Sequence, residues 1–167
     1  MTQNFFYRLF WAIVLVALQI LVFGQVCLFG YATPAIYVYI LCLLPLSTPR
    51  YAWLLWGFFV GLMVDMFSYS PGLGAASMTL TAMVTPLLLR LYIPKDTVED
   101  HIPSFKLLSK WKYIWFVSSV VLFHQACFVL LEFFSFFRIW DMITAFLSSS
   151  LMTIIILLLF AKVREPQ

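Results

Sequence analysis

The sequence predicts an all-α integral membrane protein with six transmembrane helices, because its charged residues are few and its uncharged runs are long. Of the 167 residues, 64% are hydrophobic and 10% are charged, whereas a soluble domain carries about 25% charged residues. No charge occurs between Arg8 and Arg50, and three more uncharged runs cover 66–89, 113–131 and 142–161. A helix crosses a bilayer core about 30 Å thick with about 20 apolar residues. These runs are therefore long enough to span a membrane.

The run between Arg8 and Arg50 is too long for one helix, and Gly30 and Pro34 predict a turn inside it. The next segment reaches spanning length only if its helix continues through Asp65. We therefore predict one polytopic membrane domain, 1–167, with six helices. They lie near 7–29, 35–48, 51–69, 73–93, 111–136 and 140–162, with a cytoplasmic loop at 94–110.

The distribution of lysine and arginine predicts the orientation, since cytoplasmic loops are enriched in both. With a cytoplasmic N-terminus, only Arg138 lies outside, and six helices return the C-terminus to the cytoplasm. The nine basic residues then placed inside are Arg8, Arg50, Arg90, Lys95, Lys106, Lys110, Lys112, Lys162 and Arg164. The polar segment Lys95–Lys112 has two interpretations: a solvated loop that orients the fifth helix, or a docking segment for a cytoplasmic partner.

No catalytic motif is recognisable in the sequence. It lacks HExxH, GxSxG and a glycine-rich phosphate loop. Within the predicted spans, the acids and His124 are isolated from one another, and a lone histidine in an apolar helix is more often a hydrogen-bonded packing residue than a proton carrier. We therefore predict a protein that is not an enzyme, with no cofactor and no metal site.

The third predicted helix carries a small-residue face that leads to a carboxylate. Gly57, Gly61 and Asp65 are spaced by four residues, so they lie on one side of a helix. A Gly-x-x-x-Gly pair lets a second backbone approach closely. We expect the third and fourth helices to pack tightly as a hairpin.

A turn follows Asp65, built from Pro71, Gly72 and Gly74, and a helix rich in small and hydroxyl residues comes next. The first N–H groups of a helix have no partner within the helix, and the helix dipole there favours an anion. We expect Asp65 to accept hydrogen bonds from this turn. The alternative is that Asp65 belongs to a proton or ligand site, because a carboxylate inside a membrane suggests such a function.

The pattern Gly61-x-x-x-Asp65, a short turn ending in Gly74 and a small-residue helix resembles the bacterial rod shape-determining membrane proteins of the MreD family. The resemblance covers the whole chain as architecture, but its motif lies within 57–82. It implies a fold similar to the substrate-binding subunits of energy-coupling-factor transporters. Gly61, Asp65, Gly72 and Gly74 match the family pattern, and the resemblance assigns them no catalytic role.

The resemblance also implies a function and partners. Members of this family are non-enzymatic scaffolds of the cell-elongation (rod) complex, which maintains rod cell shape and directs lateral peptidoglycan synthesis. The implied partners are MreC and, through it, MreB, RodA and its transpeptidase, together with membrane lipids and without nucleic acid. The implied location is the bacterial cytoplasmic (inner) membrane, which the chain crosses several times.

The main alternative is a substrate-binding membrane subunit of a vitamin transporter of the energy-coupling-factor type. Such a subunit needs polar side chains that converge on an outward-facing pocket. Asp65, Glu132, Arg138 and Asp141 are predicted on the outer side, and Gln125 shares one helix face with Glu132. Asp141, however, is typical of a helix cap, and this polar set is small for binding a hydrophilic vitamin.

Overall fold

The computed structural model describes residues 2–23, 34–68, 72–93, 103, 108–132 and 139–164, and all its regular elements in these ranges are helical. A π-helical turn, Gln19–Phe23, continues the first helix, and a 3₁₀ turn, Ile36–Val38, precedes the second. The α-helices are α1 (Thr2–Leu18), α2 (Tyr39–Cys42), α3 (Arg50–Phe67), α4 (Leu73–Tyr92), α5 (Lys110–Glu132) and α6 (Ile139–Arg164).

Four of these helices, α3 to α6, are long and apolar enough to cross a membrane, and a shorter apolar helix covers Phe6–Val22. The chain therefore has the architecture of an all-α, multi-pass membrane protein. The third and fourth predicted helices, 51–69 and 73–93, agree with α3 and α4 within two residues over the described part.

The prediction of a second helix over 35–48 was wrong in length. Helical structure there is limited to Ile36–Val38 and Tyr39–Cys42, a rise of about 12 Å, which is too short to cross a membrane. Pro45 and Pro49 lack a backbone N–H and disfavour helical geometry in the residues before them. Every residue from 34 to 45 is buried, so this segment is the centre of the bundle rather than one of its outer helices.

The other limits also differ from the prediction. The first helix begins at Thr2 instead of residue 7. The last one, Ile139–Arg164, begins one residue earlier and ends two residues later than predicted. The ends predicted for the first and fifth helices, at residues 29 and 136, lie outside the described residues, and so does most of the predicted loop 94–110.

Contacts between helices show that α4 and α5 run antiparallel. Thr81 of α4 pairs with His124 of α5, whereas Tyr92, eleven residues later, pairs with Ser119, which comes earlier in α5. Hence α4 ends at the level where α5 begins.

The same reasoning orders α1, α5 and α6. The ring of Tyr39 lies 5.6 Å from the ring of Phe160, and its hydroxyl lies 3.3 Å from that of Tyr113. Thr153, earlier in α6, contacts Gln125, which is later in α5. The start of α5 and the end of α6 therefore share one end of the bundle, and Trp11 of α1, 5.3 Å from Phe160, faces the same end.

This topology separates the charges. All described acidic residues, Asp65, Glu132 and Asp141, lie near the opposite end, which we call the acidic end. The described basic residues lie toward the end where α3 and α5 begin, which we call the basic end: Arg8, Arg50, Arg90, Lys110, Lys112, Lys162 and Arg164. The helix order thus places the described acidic residues near one end of the bundle and the described basic residues toward the other.

Candidate functional site: the Asp65 hairpin and the buried polar network

The α3–α4 interface is as close as the glycines predict. A Cβ added to Gly61 would lie 2.6 Å from the carbonyl oxygen of Gly74 and 2.7 Å from the Cα of Ala75. A Cβ added to Gly57 would lie 2.7 Å from the Cβ of Ala82 and 2.9 Å from the carbonyl oxygen of Met78. These separations are far below an ordinary carbon contact of about 3.5–4.0 Å. Backbone therefore packs directly on backbone along this seam.

The carboxylate of Asp65 binds the start of α4. Its Oδ1 accepts the backbone N–H of Gly74 at 2.8 Å, and its Oδ2 accepts those of Ala75 at 2.8 Å and Gly72 at 3.0 Å. The side chain is 6% exposed. Gly72 is the N-cap of α4, and Gly74 and Ala75 belong to its first turn, where backbone N–H groups have no partner within the helix. The helix dipole there favours the negative charge. The predicted contact between Asp65 and the turn is present.

Two glycines allow the turn to approach the carboxylate of Asp65. Gly72 has φ = 92° and ψ = −15°, a left-handed conformation that glycine adopts without steric cost. A Cβ on Gly74 would collide with Oδ1 of Asp65, so the carboxylate can reach the backbone only because the side chain is absent. Pro71, the other residue predicted in this turn, lies outside the described residues.

His124 is fully buried and both of its ring nitrogens have a partner. Nε2 lies 3.1 Å from the hydroxyl of Tyr37, and Nδ1 lies 3.3 Å from Oγ1 of Thr81. The Thr81 hydroxyl donates its proton to the carbonyl of Ser77 at 2.7 Å, so it can only accept from His124. This arrangement favours the neutral tautomer with the proton on Nδ1, in which Nε2 accepts from Tyr37.

A second polar cluster holds the buried segment that begins at Pro34. The side-chain amide of Gln19 donates to the carbonyl of Pro34, and its oxygen accepts the N–H of Ile36, both at 2.8 Å. Oγ1 of Thr153 accepts the N–H of Ala35 at 3.1 Å. Backbone without regular helical bonding can exist inside a membrane only where protein groups satisfy it. Gln19 and Thr153 do so here.

The structure describes four of the five polar residues considered for a binding pocket: Asp65, Gln125, Glu132 and Asp141. Gln125, predicted on one face with Glu132, donates to Thr153 at 3.3 Å. Asp141 is the third residue of α6 and lies inside its first turn, so the prediction that it caps the helix was wrong, because the helix starts earlier. Arg138 lies outside the described residues. Within the described ranges, no three His, Cys, Asp or Glu residues are grouped as metal ligands.

Sequence reasoning missed Gln19, Tyr37 and Thr153. All three lie in uncharged runs, where an isolated amide or hydroxyl gives a weak signal. One sign was available: Gln19 is the only amide between Asn4 and Gln25. Its partners could not be identified because they are backbone groups of a segment predicted to be a regular helix.

Comparison of the chain with protein-family models, with curated proteins and with solved structures gives no match. What the chain does must therefore be inferred from its residues, from their geometry and from the resemblance described above.

Proposed function

We propose that this chain is a non-enzymatic membrane scaffold of the cell-elongation (rod) complex. In this role it binds MreC and, through it, MreB, RodA and the transpeptidase, and so directs lateral peptidoglycan synthesis and maintains rod shape. Its location is the bacterial cytoplasmic membrane, with both termini and the basic end on the cytoplasmic side. Enrichment of basic residues on that side is the general rule for membrane proteins.

One observation carries the proposal: the buried groups best suited to chemistry or ligand binding are used to hold the bundle together. Asp65 binds the first turn of α4. His124 pairs with Tyr37 and Thr81. Gln19 closes on the backbone of the buried segment. A bundle whose polar interior serves its own stability is suited to presenting its outer surface to other proteins.

The outer surface offers two apolar faces to a partner helix. On α6, six residues at intervals of three or four form a continuous exposed stripe along one side: Trp140, Ile143, Leu147, Leu151, Ile155 and Leu159. On α3, Phe58 and Phe59 are exposed and their rings lie 5.7 Å apart. A single transmembrane helix of a partner such as MreC can pack along either face by van der Waals contact. The loop 94–110 is the third candidate surface.

The vitamin-transporter alternative requires polar side chains free to hold a hydrophilic ligand near the acidic end. Both carboxylate oxygens of Asp65 are occupied by backbone donors, and Gln125 is bonded to Thr153. Glu132 is exposed at the end of α5. This arrangement favours the scaffold over a binding subunit.

The test is a purification from the native host in mild detergent, with co-purifying proteins identified by mass spectrometry. Recovery of MreC together with RodA or its transpeptidase is the expected result. Recovery of paired ATPases with a coupling membrane subunit would replace the scaffold with a transporter subunit. If none of these proteins is recovered, even when complexes are stabilised by mild crosslinking before purification, both functions are rejected.

Photo-crosslinking residues placed at single exposed positions would then locate the partner. Leu151 samples the α6 stripe, Phe59 samples the α3 face, and Leu122 on α5 is an exposed control at 41% accessibility. A crosslink to MreC from Leu151 or Phe59, without one from Leu122, is expected. Equal crosslinking from all three positions would indicate contact without a defined interface.

A further inference from the structure

A groove lies between the start of α3 and the end of α4, at the basic end of the bundle. Its volume is about 240 Å³. The polar part of its wall includes Arg50, Arg90 and Thr48, and the apolar part includes Leu54, Met83 and Leu87. It therefore combines two cations with an apolar surface.

The positive charge in this groove is not compensated within the described part of the chain. Arg50 and Arg90 are exposed, neither forms an ion pair with a described residue, and the described acids lie near the opposite end. Arg50 is the first residue of α3, which has no acidic residue in its first turn and no capping side chain at Pro49. Since a helix N-terminus is itself positive, Arg50 is in an unfavourable position unless an anion is nearby.

The apolar wall continues onto the outer surface of the helices. Leu54, Met83 and Leu87 are 36%, 65% and 57% exposed. Beside them, Oγ1 of Thr48 is buried without a hydrogen-bond partner among the described residues. The groove is too small to enclose a whole lipid, but it can hold a head group while an acyl chain follows these exposed residues along α3 and α4.

We propose that this groove binds one anionic glycerophospholipid from the membrane leaflet at the basic end. Its phosphate lies between Arg50 and Arg90, where guanidinium groups donate to phosphate oxygens. Its acyl chain packs against Leu54, Met83 and Leu87. A free phosphate would leave this apolar wall unused, and a zwitterionic lipid would leave the two arginines only partly compensated. The site does not depend on the partners proposed above.

The test measures thermal unfolding of the purified full chain in nonionic detergent, titrated with dioleoyl phosphatidylglycerol or dioleoyl phosphatidylcholine. The acyl chains are identical, so any difference arises from the head group. We expect tighter binding and stronger stabilisation by phosphatidylglycerol. Each basic residue near an anionic lipid surface contributes roughly fivefold in affinity. Arg50→Gln and Arg90→Gln should therefore each reduce the preference for phosphatidylglycerol by about that factor.

Two further variants separate the groove from general positive charge. Lys162→Gln removes an exposed base from the same end of the bundle but outside the groove, and it should leave the preference unchanged. Met83→Trp fills the groove without changing the charge, and it should weaken binding of phosphatidylglycerol. If Lys162→Gln reduces the preference as much as Arg90→Gln does, binding is a diffuse surface effect and the proposed site is wrong.

Two measurements on the wild-type chain need no variant. Inorganic phosphate at the same concentration should stabilise much less than phosphatidylglycerol, and equal stabilisation would mean a simple anion site instead of a lipid site. Raising the salt from about 0.1 M to about 1 M shortens the screening length from about 10 Å to about 3 Å. The preference should then decrease. Equal stabilisation by the two lipids at low salt would overturn the proposal.

Discussion

The side chain of Asp65 and the backbone of Gly74 fit together as one unit. Oδ1 of Asp65 accepts the N–H of Gly74 at 2.8 Å, and a Cβ on residue 74 would collide with that same oxygen. Gly61 packs against the backbone of Gly74 and Ala75. Close packing and a charged hydrogen-bond acceptor therefore fix the α3–α4 hairpin at the same point.

Replacing Asp65 by asparagine should destabilise the protein even if the residue never carries a proton. Both oxygens of the carboxylate accept backbone N–H groups, and the asparagine amide would direct an NH₂ group at one set of donors. We expect a loss of about 1–3 kcal/mol in the free energy of unfolding, the usual cost of unsatisfied buried donors. Thermal unfolding of the purified chain measures this.

The matched control for Asp65→Asn is Glu132→Gln, an exposed acid near the same end. It should change stability by less than about 0.5 kcal/mol. Wild-type stability of Asp65→Asn would show that its hydrogen bonds to α4 contribute little, and wild-type function of the same variant would exclude a proton-carrying role.

Gly61→Ala and Gly72→Ala should both destabilise the protein, but for different reasons. The first places a methyl group against backbone atoms that cannot move independently, and we expect a loss of at least about 1–3 kcal/mol, typical of overpacking. The second meets no atom within 4 Å but must hold φ near +92°, which costs about 1–2 kcal/mol for alanine. Asparagine tolerates this conformation better, so Gly72→Asn should recover part of the loss. Unfolding curves of the three variants decide this.

A larger side chain at Gly61 tests the close packing of α3 on α4 more severely than alanine does. Gly61→Leu should lower the amount of folded protein in the membrane, whereas Met66→Leu, on the exposed side of the same helix at 71% accessibility, should leave it unchanged. Normal abundance and normal function of Gly61→Leu would contradict close packing of α3 on α4.

Removing the hydroxyl of Tyr37 should leave Nε2 of His124 without its donor. The pair is fully buried, at 3.1 Å, so Tyr37→Phe should cost about 1–3 kcal/mol in the free energy of unfolding. Tyr51→Phe, at a position 68% exposed, should have almost no effect. In a double-mutant cycle with His124→Phe, the coupling energy should be about 0.5–3 kcal/mol, and additive losses would show that the two side chains do not interact.

Thr153→Val and Thr153→Ser test how the buried segment is held. Valine removes the hydroxyl that accepts the N–H of Ala35 at 3.1 Å, whereas serine keeps it. We expect Thr153→Val to be less stable than Thr153→Ser by about 1–3 kcal/mol. Equal stability of the two variants would mean that this N–H is satisfied in another way.

Gln19→Leu extends the same test to the other side of the segment. It would leave both the carbonyl of Pro34 and the N–H of Ile36 without bonds of 2.8 Å, whereas Thr153→Val removes the longer bonds from Ala35 at 3.1 Å and from Gln125 at 3.3 Å. Unsatisfied buried backbone groups are costly. We expect a larger loss than for Thr153→Val, measured by the same unfolding assay. A loss below about 0.5 kcal/mol would contradict the role assigned to Gln19, since changes of that size are common at positions without structural importance.

The sequence by itself determined that this protein lies in a membrane, that it is helical and that α3 and α4 form a hairpin. Hydropathy and the lack of charge establish a membrane environment because lipid tolerates few charges. Gly57, Gly61 and Asp65 predict the hairpin because their four-residue spacing and the following turn act locally, over fewer than twenty residues.

Only the tertiary structure decided the conformation of the chain between Pro34 and Arg50. An apolar run has the same composition whether it faces lipid or fills the centre of a bundle, so the prediction of a spanning helix over 35–48 was wrong. The buried segment 34–45 is possible because Gln19 and Thr153 satisfy its backbone from α1's extension and from α6. Those contacts join residues 15 to 118 positions apart, so local patterns in the sequence do not predict them.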